Sequence, residues 1–240
     1  MRKSGEVQRG PERLRVGTWR GDPRTAYVAP VSASPPATPA MVRHACAVLA
    51  DRGYADVVTG ALSVLEQQGF LEAGFTVREE LHLLGRELRD LPPPPATALR
   101  QGRRRHRAAA LAVDAAAFQS FWRLDGRGLE DALSATPASR FRVAVDRAAV
   151  TGYAVCGRAG LRGYVQRLAV DPDRQGGGLG RALLIDGLRW LERKGATSAV
   201  VNTQVGNERA LRLYTALGFR LQPSGLAVLT RRLETSGAVR

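Results

Sequence analysis

The chain has 240 residues, and 44% of them are hydrophobic, which is enough to bury a core in one large domain or two small ones. No apolar run approaches the roughly 18 to 20 residues of a membrane-spanning helix, and the first twenty residues lack the apolar core of a signal peptide. We therefore expect a cytoplasmic protein without a membrane partner. Two cysteines and three histidines are too few for a disulfide framework or a metal site, so we expect no metal.

The charge balance favours an anionic partner. The chain has 36 basic and 22 acidic residues, which gives a formal net charge of +14. Such a charge suits nucleic acid or a substrate that carries phosphate groups, and net charge alone does not choose between the two.

Composition and patterning divide the chain into four segments. Residues 1–24 are polar and basic without a helical or strand period, which predicts a flexible tail. Residues 25–90 alternate helix and strand patterns. Residues 91–107 contain four consecutive prolines and five arginines, which predict a stiff basic linker. Residues 108–234 form the second and larger unit.

The first unit combines helices and strands. Apolar residues at helical spacing predict a helix over residues 41–52, which ends at Gly53. A strand over 55–59, a short helix over 62–68 and a strand over 76–84 that continues toward Leu88 follow.

The second unit begins with a strand meander and then alternates strands with helices. This order predicts an α/β or α+β sheet domain of about 125 residues. Its predicted elements are a strand over 108–113, one or two helices over 115–133 broken near Gly126, a hairpin of strands 141–145 and 150–156, a strand over 163–170, a helix over 179–194, a strand over 198–204, a helix over 207–217 and a hairpin over 219–233.

The most informative stretch is residues 168–184, LAVDPDRQGGGLGRALL, in which a strand leads through glycines into a helix. The first amides of such a helix are unpaired and lie at the positive end of its dipole, which favours phosphate binding. Arg174 and Arg181 add positive charge at the rim. Four glycines allow a pyrophosphate to approach the backbone closely, and they are Gly176, Gly177, Gly178 and Gly180.

Other glycine-rich loops do not fit the spacing. A dinucleotide-binding loop requires a third glycine where Leu183 or Arg181 stands. A nucleotide-triphosphatase loop requires a Gly-Lys-Ser/Thr ending, which this stretch lacks. An ordinary strand-to-helix turn remains the structural alternative.

Two strings resemble signatures of the GCN5-related N-acetyltransferase (GNAT) superfamily. Residues 175–180, QGGGLG, resemble its Q/R-x-x-G-x-G/A signature, and residues 207–219, NERALRLYTALGF, resemble its N-x-x-A-x-x-L-Y-x-x-x-G-F helix. The two signatures occur in the family's order, and the resemblance covers roughly residues 108–234. It implies a GNAT-type mixed, mostly antiparallel sheet flanked by helices.

The resemblance also implies the reaction and its site. Acetyl-CoA would be the donor, and an amine acceptor would attack it directly in a ternary complex. Tyr214 would be the general acid that protonates the departing thiolate. The implied donor-binding residues are Leu168, Ala169 and Val170 for the pantetheine arm, Arg174, Gln175, Gly176, Gly177, Gly178, Leu179, Gly180 and Arg181 for the pyrophosphate, and Asn207 for the pantetheine region.

The general base is left open. Glu130 and Asp131 lie in the helical region that borders the acceptor site in the family, and Asp125 is a third candidate, but a solvated surface charge is the favoured interpretation of each. The strand before the loop carries Gln166 and Arg167, where some family members have a glutamate.

Two further features have more than one interpretation. The arginines of the 91–107 segment suit nucleic-acid phosphates, but no aromatic residue is interleaved for base stacking, which favours a solvated linker. Phe118, Phe121 and Trp122 either line an acceptor pocket or pack in the core.

The first unit contains a weak internal repeat of the second. Residues 49–58 parallel residues 191–200, and residues 65–70 parallel residues 214–219. This similarity predicts a degenerate partial GNAT-like unit over residues 25–90, the alternative being a chance likeness of element order.

The predicted first unit lacks the donor-binding features. Residues 32–39, SASPPATP, stand in place of the phosphate loop, and their prolines have no amide to donate. Leu65 stands where the second unit has Tyr214, so we expect this unit to be inactive.

The sequence thus predicts an acetyl-CoA-dependent N-acetyltransferase. A non-catalytic acyl-CoA-binding sensor or scaffold and a nucleic-acid-associated basic protein are the alternatives. The acceptor, whether a protein N-terminus, a lysine, a polyamine or a small metabolite, and the oligomeric state are not determined by the sequence.

Overall fold

The computed structural model describes residues 5–31 and 34–234. Contacts divide the chain into two compact units. Of the described residues, unit 1 comprises those between 5 and 83, residues 204–206 and residues 222–234, and unit 2 comprises residues 84–203 and 207–221. Among the described residues, no helix combines the length and apolarity needed to cross a bilayer, and no three His, Cys, Asp or Glu side chains are grouped as metal ligands.

The chain forms thirteen strands and six α-helices within the described residues. In chain order these are β1 (Gly5–Arg9), β2 (Glu12–Trp19), β3 (Asp22–Pro30), α1 (Pro39–Asp51), β4 (Asp56–Thr59), β5 (Leu62–Ser63), α2 (Val64–Glu72), β6 (Thr76–Glu87), β7 (Leu99–Gln101), α3 (Arg107–Ala117), α4 (Gly126–Ser134), β8 (Ala138–Asp146), β9 (Ala149–Ala159), β10 (Arg162–Val170), α5 (Leu179–Arg193), β11 (Ser198–Gln204), α6 (Glu208–Thr215), β12 (Arg220–Leu221) and β13 (Leu226–Arg232).

The N-terminal segment is folded. Strands β1, β2 and β3 form an antiparallel meander, so the flexible tail predicted for residues 1–24 is wrong from residue 5 onward, and residues 1–4 lie outside the described part. The strand period is present in β2, where Leu14 and Val16 are fully buried and Arg15 between them is exposed. The many arginines on the exposed face concealed this alternation.

The last strand of the chain belongs to unit 1. β13 pairs antiparallel with β4 and β6, and Leu229 and Leu233 lie in the same hydrophobic core as Leu14, Met41 and Phe70. The unit boundaries therefore differ from the predicted 25–90 and 108–234, because residues 222–234 fold with unit 1 and residues 84–107 fold with unit 2. Pairing between distant strands is not visible in local periodicity.

The predicted hairpin over residues 219–233 is also wrong. β12 pairs with the end of β6, through Arg220 opposite Gly85, whereas β13 pairs within unit 1. The turn residues were identified, but the two flanking strands do not pair with each other, because β12 and β13 pair with different segments of β6.

Unit 2 contains the predicted mixed, mostly antiparallel sheet flanked by helices. Its strands follow the order β11-β10-β9-β8-β7, and only β10 and β11 are parallel. Consecutive residues of β9 point to opposite faces of this sheet, as Val155 packs with α3 and α4 and Cys156 packs with α5. Both faces are thus covered by helices.

The start of unit 2 differs from the prediction. Residues 108–113 were expected to form a strand, but they belong to helix α3, which buries Ala110, Val113 and Asp114. Alanine has the highest helix propensity, and this stretch is rich in it. Residues 91–107 are not a free linker either, because β7 pairs with β8 and residues 104–106 form a short 3-10 helix. The hairpin β8–β9, strands β10 and β11, and helices α5 and α6 agree with the predictions.

The similarity between residues 49–58 and 191–200 is confirmed by the way in which helices α1 and α5 end. Helix α1 ends at Gly53 with φ +78°, and α5 ends at Gly195 with φ +83°. In each case the next residue donates back to the helix, from Tyr54 to Leu49 and from Ala196 to Leu191. Each unit has the same order of three antiparallel strands, a helix, a parallel strand and a second helix.

The predicted match of residues 65–70 with residues 214–219 is displaced by five residues. The Phe75 amide donates to the Phe70 carbonyl after α2, just as the Phe219 amide donates to the Tyr214 carbonyl after α6. Phe70 therefore corresponds to Tyr214, whereas Leu65 is 66% exposed on the surface of α2. Unit 1 thus has a phenyl ring where unit 2 has a phenol.

Candidate functional site

The glycine loop before α5 leaves backbone amides open to a ligand. Gly176 and Gly178 have φ values of +87° and +80°, and Gly178 caps the helix. The first helical hydrogen bond runs from Ala182 to Gly178, so the amides of Leu179, Gly180 and Arg181 precede the helical ladder. Added β-carbons at residues 176–178 would meet no atom within 4 Å. The loop therefore borders open space, as a phosphate-binding helix start requires.

The strand before the loop has an available edge. Residues 162–164 of β10 pair with residues 198–200 of β11, and among the described residues no pairing with β11 extends further along β10. A β-bulge on the β9 side lies between Val165 and Arg167. The Gln175 side chain donates to the Val170 carbonyl at 3.0 Å and ties the loop to the strand end. Strand residues 168–170 can thus accept an extended ligand as an added strand would.

The loop, the strand edge and α6 line one cavity of about 410 Å³ in unit 2. The predicted residues that line it are Leu168, Ala169, Val170, Gln175, Gly176, Gly178, Leu179, Gly180, Arg181, Asn207 and Tyr214. Phe118, for which a pocket was one of two interpretations, also lines it, as do four residues that were not predicted, namely Ala117, Arg209, Ala210 and Leu213. Arg174 and Gly177 lie outside this cavity and line a neighbouring one, where Arg174 pairs with Asp146 at 3.1 Å.

Tyr214 is buried at the cavity wall. Its side chain packs against Phe219 with the ring centroids 5.8 Å apart, and the residue is only 6% exposed. Burial raises the pKa of the Tyr214 phenol, and the nearby Cys156 thiol raises it further, while Arg167 opposes the rise. The phenol therefore carries its proton at neutral pH and is able to donate it.

Asn207 has a structural role in addition to its place in the cavity. Its Oδ1 accepts a hydrogen bond from the Ala210 amide at 3.1 Å and caps the first turn of α6. This cap fixes the start of the helix that carries Tyr214.

The candidate general bases do not line the cavity. Asp125 caps α4 by accepting a hydrogen bond from the Gly128 amide at 2.7 Å. Glu130 pairs with Arg107 at 2.7 Å, and Asp131 is exposed on the same helix. The structure thus assigns helix-capping and surface roles to these carboxylates and does not bring them together with Tyr214.

A buried polar cluster behind the cavity was missed by the sequence reasoning. Asp114 is fully buried and accepts two hydrogen bonds from Arg167, at 2.7 and 2.8 Å. It also accepts one from the Tyr153 hydroxyl at 2.5 Å and one from the Leu124 amide at 2.7 Å. Burial and the adjacent carboxylate raise the pKa of Tyr153. A single aspartate within the apolar string LAVDAAAF was the available signal, since a buried charge needs a partner.

The three aromatic residues after α3 have different environments. Phe118 lines the cavity, and the Arg167 guanidinium lies 3.6 Å from its ring centroid. Phe121 and Trp122 pack edge to face at 5.1 Å and do not line the cavity. Of the three, only Phe118 lines the cavity, and whether an acceptor binds there stays a prediction.

In unit 1 a glutamate side chain lies at the helix start that corresponds to the phosphate loop of unit 2. The carboxylate of Glu12 accepts hydrogen bonds from the amide and the hydroxyl of Thr38, the residue that caps α1. A β-carbon on Gly69 would overlap the carbonyl oxygen of Ala37, so α2 contacts the residues before α1 directly. An internal carboxylate thus stands at this helix start, where the family's donor phosphate would bind. Ser32 and Ala33 of the predicted proline-rich stretch lie outside the described residues.

Comparisons with known proteins agree with this geometry. The sequence model of the acetyltransferase (GNAT) family matches residues 105–219. A mycothiol acetyltransferase of Actinosynnema mirum is 36% identical over 152 residues, which cover 58% of this chain and 51% of that protein. A mycothiol acetyltransferase of Amycolatopsis mediterranei is 47% identical over 57 residues, which cover 24% of this chain and 19% of that protein. The chain thus spans about half or less of the length of these relatives.

Solved structures share the fold at low sequence identity. A tandem GNAT protein from the clavulanic acid biosynthesis pathway superposes with a TM-score of 0.69 at 16% identity and covers 96% of this chain and 82% of that one. A GCN5-related N-acetyltransferase from Kribbella flavida gives a TM-score of 0.60 at 18% identity and covers 98% and 91%. Residues 105–219 thus match the acetyltransferase (GNAT) family model, and the chain as a whole has a fold similar to that of tandem GNAT proteins.

Proposed function

We propose that unit 2 transfers an acetyl group from acetyl-CoA to the amine of a small molecule. One observation carries this proposal. The open amides before α5, the available edge of β10 and the buried phenol of Tyr214 all line the same cavity. These are the three elements that a thioester donor requires, namely a phosphate site, a strand edge for the pantetheine amides and an acid near the sulfur.

The donor would be held mainly by backbone groups. The amides of residues 179–181 bind the pyrophosphate, and the guanidinium groups of Arg181 and Arg209 at the cavity wall add positive charge. Residues 168–170 of β10 hold the pantetheine arm and the thioester carbonyl. Arg174 contributes only at the rim, because its guanidinium is paired with Asp146 outside this cavity.

The chemistry needs one proton transfer from the protein. Acetyl-CoA supplies an activated acyl group, and the neutral amine of the acceptor attacks its carbonyl carbon in a ternary complex. The acceptor nitrogen loses one proton to solvent, the carbon–sulfur bond breaks, and the Tyr214 Oη donates its proton to the departing thiolate. The Tyr214 phenolate then recovers a proton from solvent, so that the products are the amide and free CoA thiol. Tyr214 is protonated at neutral pH, and because burial raises its pKa and makes it a weaker acid, its contribution to the rate is expected at the low end for general acid catalysis.

The relatives favour a small acceptor. The curated matches cited above are named mycothiol acetyltransferases, which places their acceptor among small molecules rather than proteins. We extend that class to this chain and not the identity of the acceptor, because the chain spans only part of those proteins.

Unit 1 has no donor site in this proposal. Glu12 stands at the start of α1, and Phe70 corresponds to Tyr214. A negative charge at that helix start repels phosphate, and a phenyl ring has no proton to donate.

Acetyl-CoA binding and turnover test the proposal separately. Calorimetry on the full chain measures acetyl-CoA affinity, and a free-thiol assay measures CoA release with small amines, polyamines, lysine derivatives and peptides with free N-termini. We expect binding, and turnover with a small amine that requires the Tyr214 hydroxyl. Binding without turnover for any amine would support the sensor alternative, and an absence of binding would refute the proposal.

A further inference from the structure

Phe118 lines the same cavity as Leu168 and Tyr214, and its ring contacts the Arg167 side chain, which belongs to the residue directly before Leu168. It follows the last residue of α3, so its backbone is at the point where the helix gives way to an extended segment. On the proposed function, the part of the cavity beside Leu168 and Tyr214 receives the thioester, because Leu168 holds the pantetheine arm and Tyr214 protonates the sulfur. The Phe118 ring is therefore placed to limit the group attached to that sulfur.

Arg167 fixes the ring of Phe118. Its guanidinium stacks on the ring at 3.6 Å from the centroid, and its Nη2 also donates to the Trp122 carbonyl at 2.8 Å. The side chain of Arg167 is only 11% exposed. The stacked ring and the segment that follows it are thus attached to strand β10, immediately before Leu168.

Asp114 in turn fixes Arg167. The carboxylate accepts hydrogen bonds from both Nε and Nη2 of Arg167 in a bidentate pair, and it also accepts one from the Leu124 amide. A bidentate pair sets the plane of the guanidinium, which a single contact would not do. The segment between Phe118 and Leu124 is therefore tied at both ends to one buried ion pair.

We propose that Phe118, held by Arg167 and Asp114, determines the acyl size that this enzyme accepts and restricts it to acetyl. This inference rests on the proposed function. Phe118 is the specificity-determining residue, and Arg167 and Asp114 are positioning residues that act through it.

Binding of two donors to the full chain tests this inference without knowledge of the acceptor. Acetyl-CoA and butyryl-CoA are titrated by calorimetry into the wild type and into Phe118→Ala. We expect the wild type to favour acetyl-CoA, and the ratio of the two affinities to shift toward butyryl-CoA by about tenfold in Phe118→Ala, as burial of two further methylene groups predicts. Phe118→Leu, which keeps more of the packing, should shift the ratio in the same direction by a smaller factor and serves if the alanine variant does not fold.

A matched pair of variants separates positioning from stability. Arg167→Lys loses the bidentate pair with Asp114 and the stacking on Phe118, and should shift the ratio of butyryl-CoA affinity to acetyl-CoA affinity by about threefold. Arg140 makes a comparable bidentate pair with Asp186, at 2.8 and 3.0 Å, between β8 and α5, and neither residue lines the cavity. Arg140→Lys should lower the melting temperature as Arg167→Lys does and leave the affinity ratio unchanged.

The outcomes are distinct from those of the proposed function. Acetyl-CoA binding with the wild-type ratio retained in both Phe118 variants would overturn this inference and leave the proposed function standing. An equal shift in Arg167→Lys and Arg140→Lys would overturn the positioning role. Failure of the wild type to bind either donor would overturn both.

Discussion

Replacement of Gly178 by valine should separate donor binding from folding. Gly178 is the cap of α5, has a φ of +80° and borders open space, with no atom within 4 Å of an added β-carbon. A valine there has room in the free protein, but its β-carbon and methyl groups occupy the space from which a pyrophosphate approaches the loop amides. Loss of one charge-assisted hydrogen bond is worth about 1.5 to 3 kcal/mol, so acetyl-CoA affinity should fall at least about tenfold.

The same substitution has a cost in stability that must be controlled. A non-glycine residue in the left-handed region costs about 1 to 2 kcal/mol, which corresponds to a fall in Tm of roughly 2 to 8 °C for a chain of this size. Gly195 is a matched control, since its φ is +83° and an added β-carbon there also meets no atom within 4 Å. It lies after the opposite end of α5, away from the loop.

Titration calorimetry measures acetyl-CoA binding to the two variants, and differential scanning calorimetry measures their Tm. We expect Gly178→Val and Gly195→Val to lower Tm by similar amounts, and only Gly178→Val to weaken acetyl-CoA binding. Equal affinities in the two variants would refute the assignment of the loop as the pyrophosphate site.

Three further predictions follow from the described contacts. Tyr214→Phe should lower kcat about 100-fold, at the low end for general acid catalysis, when thiol release is measured. Its acetyl-CoA affinity by calorimetry should stay within twofold of the wild type. An unchanged kcat would mean that Tyr214 is a packing residue. Burial raises the pKa of both Tyr214 and Tyr153, so the stability they contribute is complete below about pH 10 and is lost as the unfolded chain ionises above it. The Tm should therefore fall more steeply from pH 10 to 11.5 in the wild type than in Tyr153→Phe, and parallel profiles would contradict this. Gly69→Ala forces a β-carbon against the Ala37 carbonyl and should lower the free energy of unfolding, measured by thermal denaturation, by about 1 to 3 kcal/mol. The acetyl-CoA affinity of the folded variant should be unchanged, and a loss of affinity would implicate unit 1 in donor binding.

The sequence by itself determined those features that depend on local order. The loop of residues 175–180, the α6 signature and the helix-strand alternation around them lie within short stretches, and backbone conformation there follows from glycine positions and apolar periods. The helix ends at Gly53 and Gly195 were likewise predictable, because a glycine with positive φ is the common way to end a helix.

Features that depend on distant residues were decided by the tertiary structure alone. The sequence could not place β13 in unit 1, since its partners β4 and β6 lie far earlier in the chain and either unit would bury the same apolar side chains. It could not show that Asp114 pairs with Arg167, 53 residues away, because a buried charge reveals the need for a partner but not which residue meets it. The counterpart of Tyr214 was misplaced because Gly-Phe occurs twice, at residues 69–70 and 74–75, and either pair could match Gly218-Phe219. The hydrogen bond from the Phe75 amide to the Phe70 carbonyl, which matches the one from Phe219 to Tyr214, decides between them.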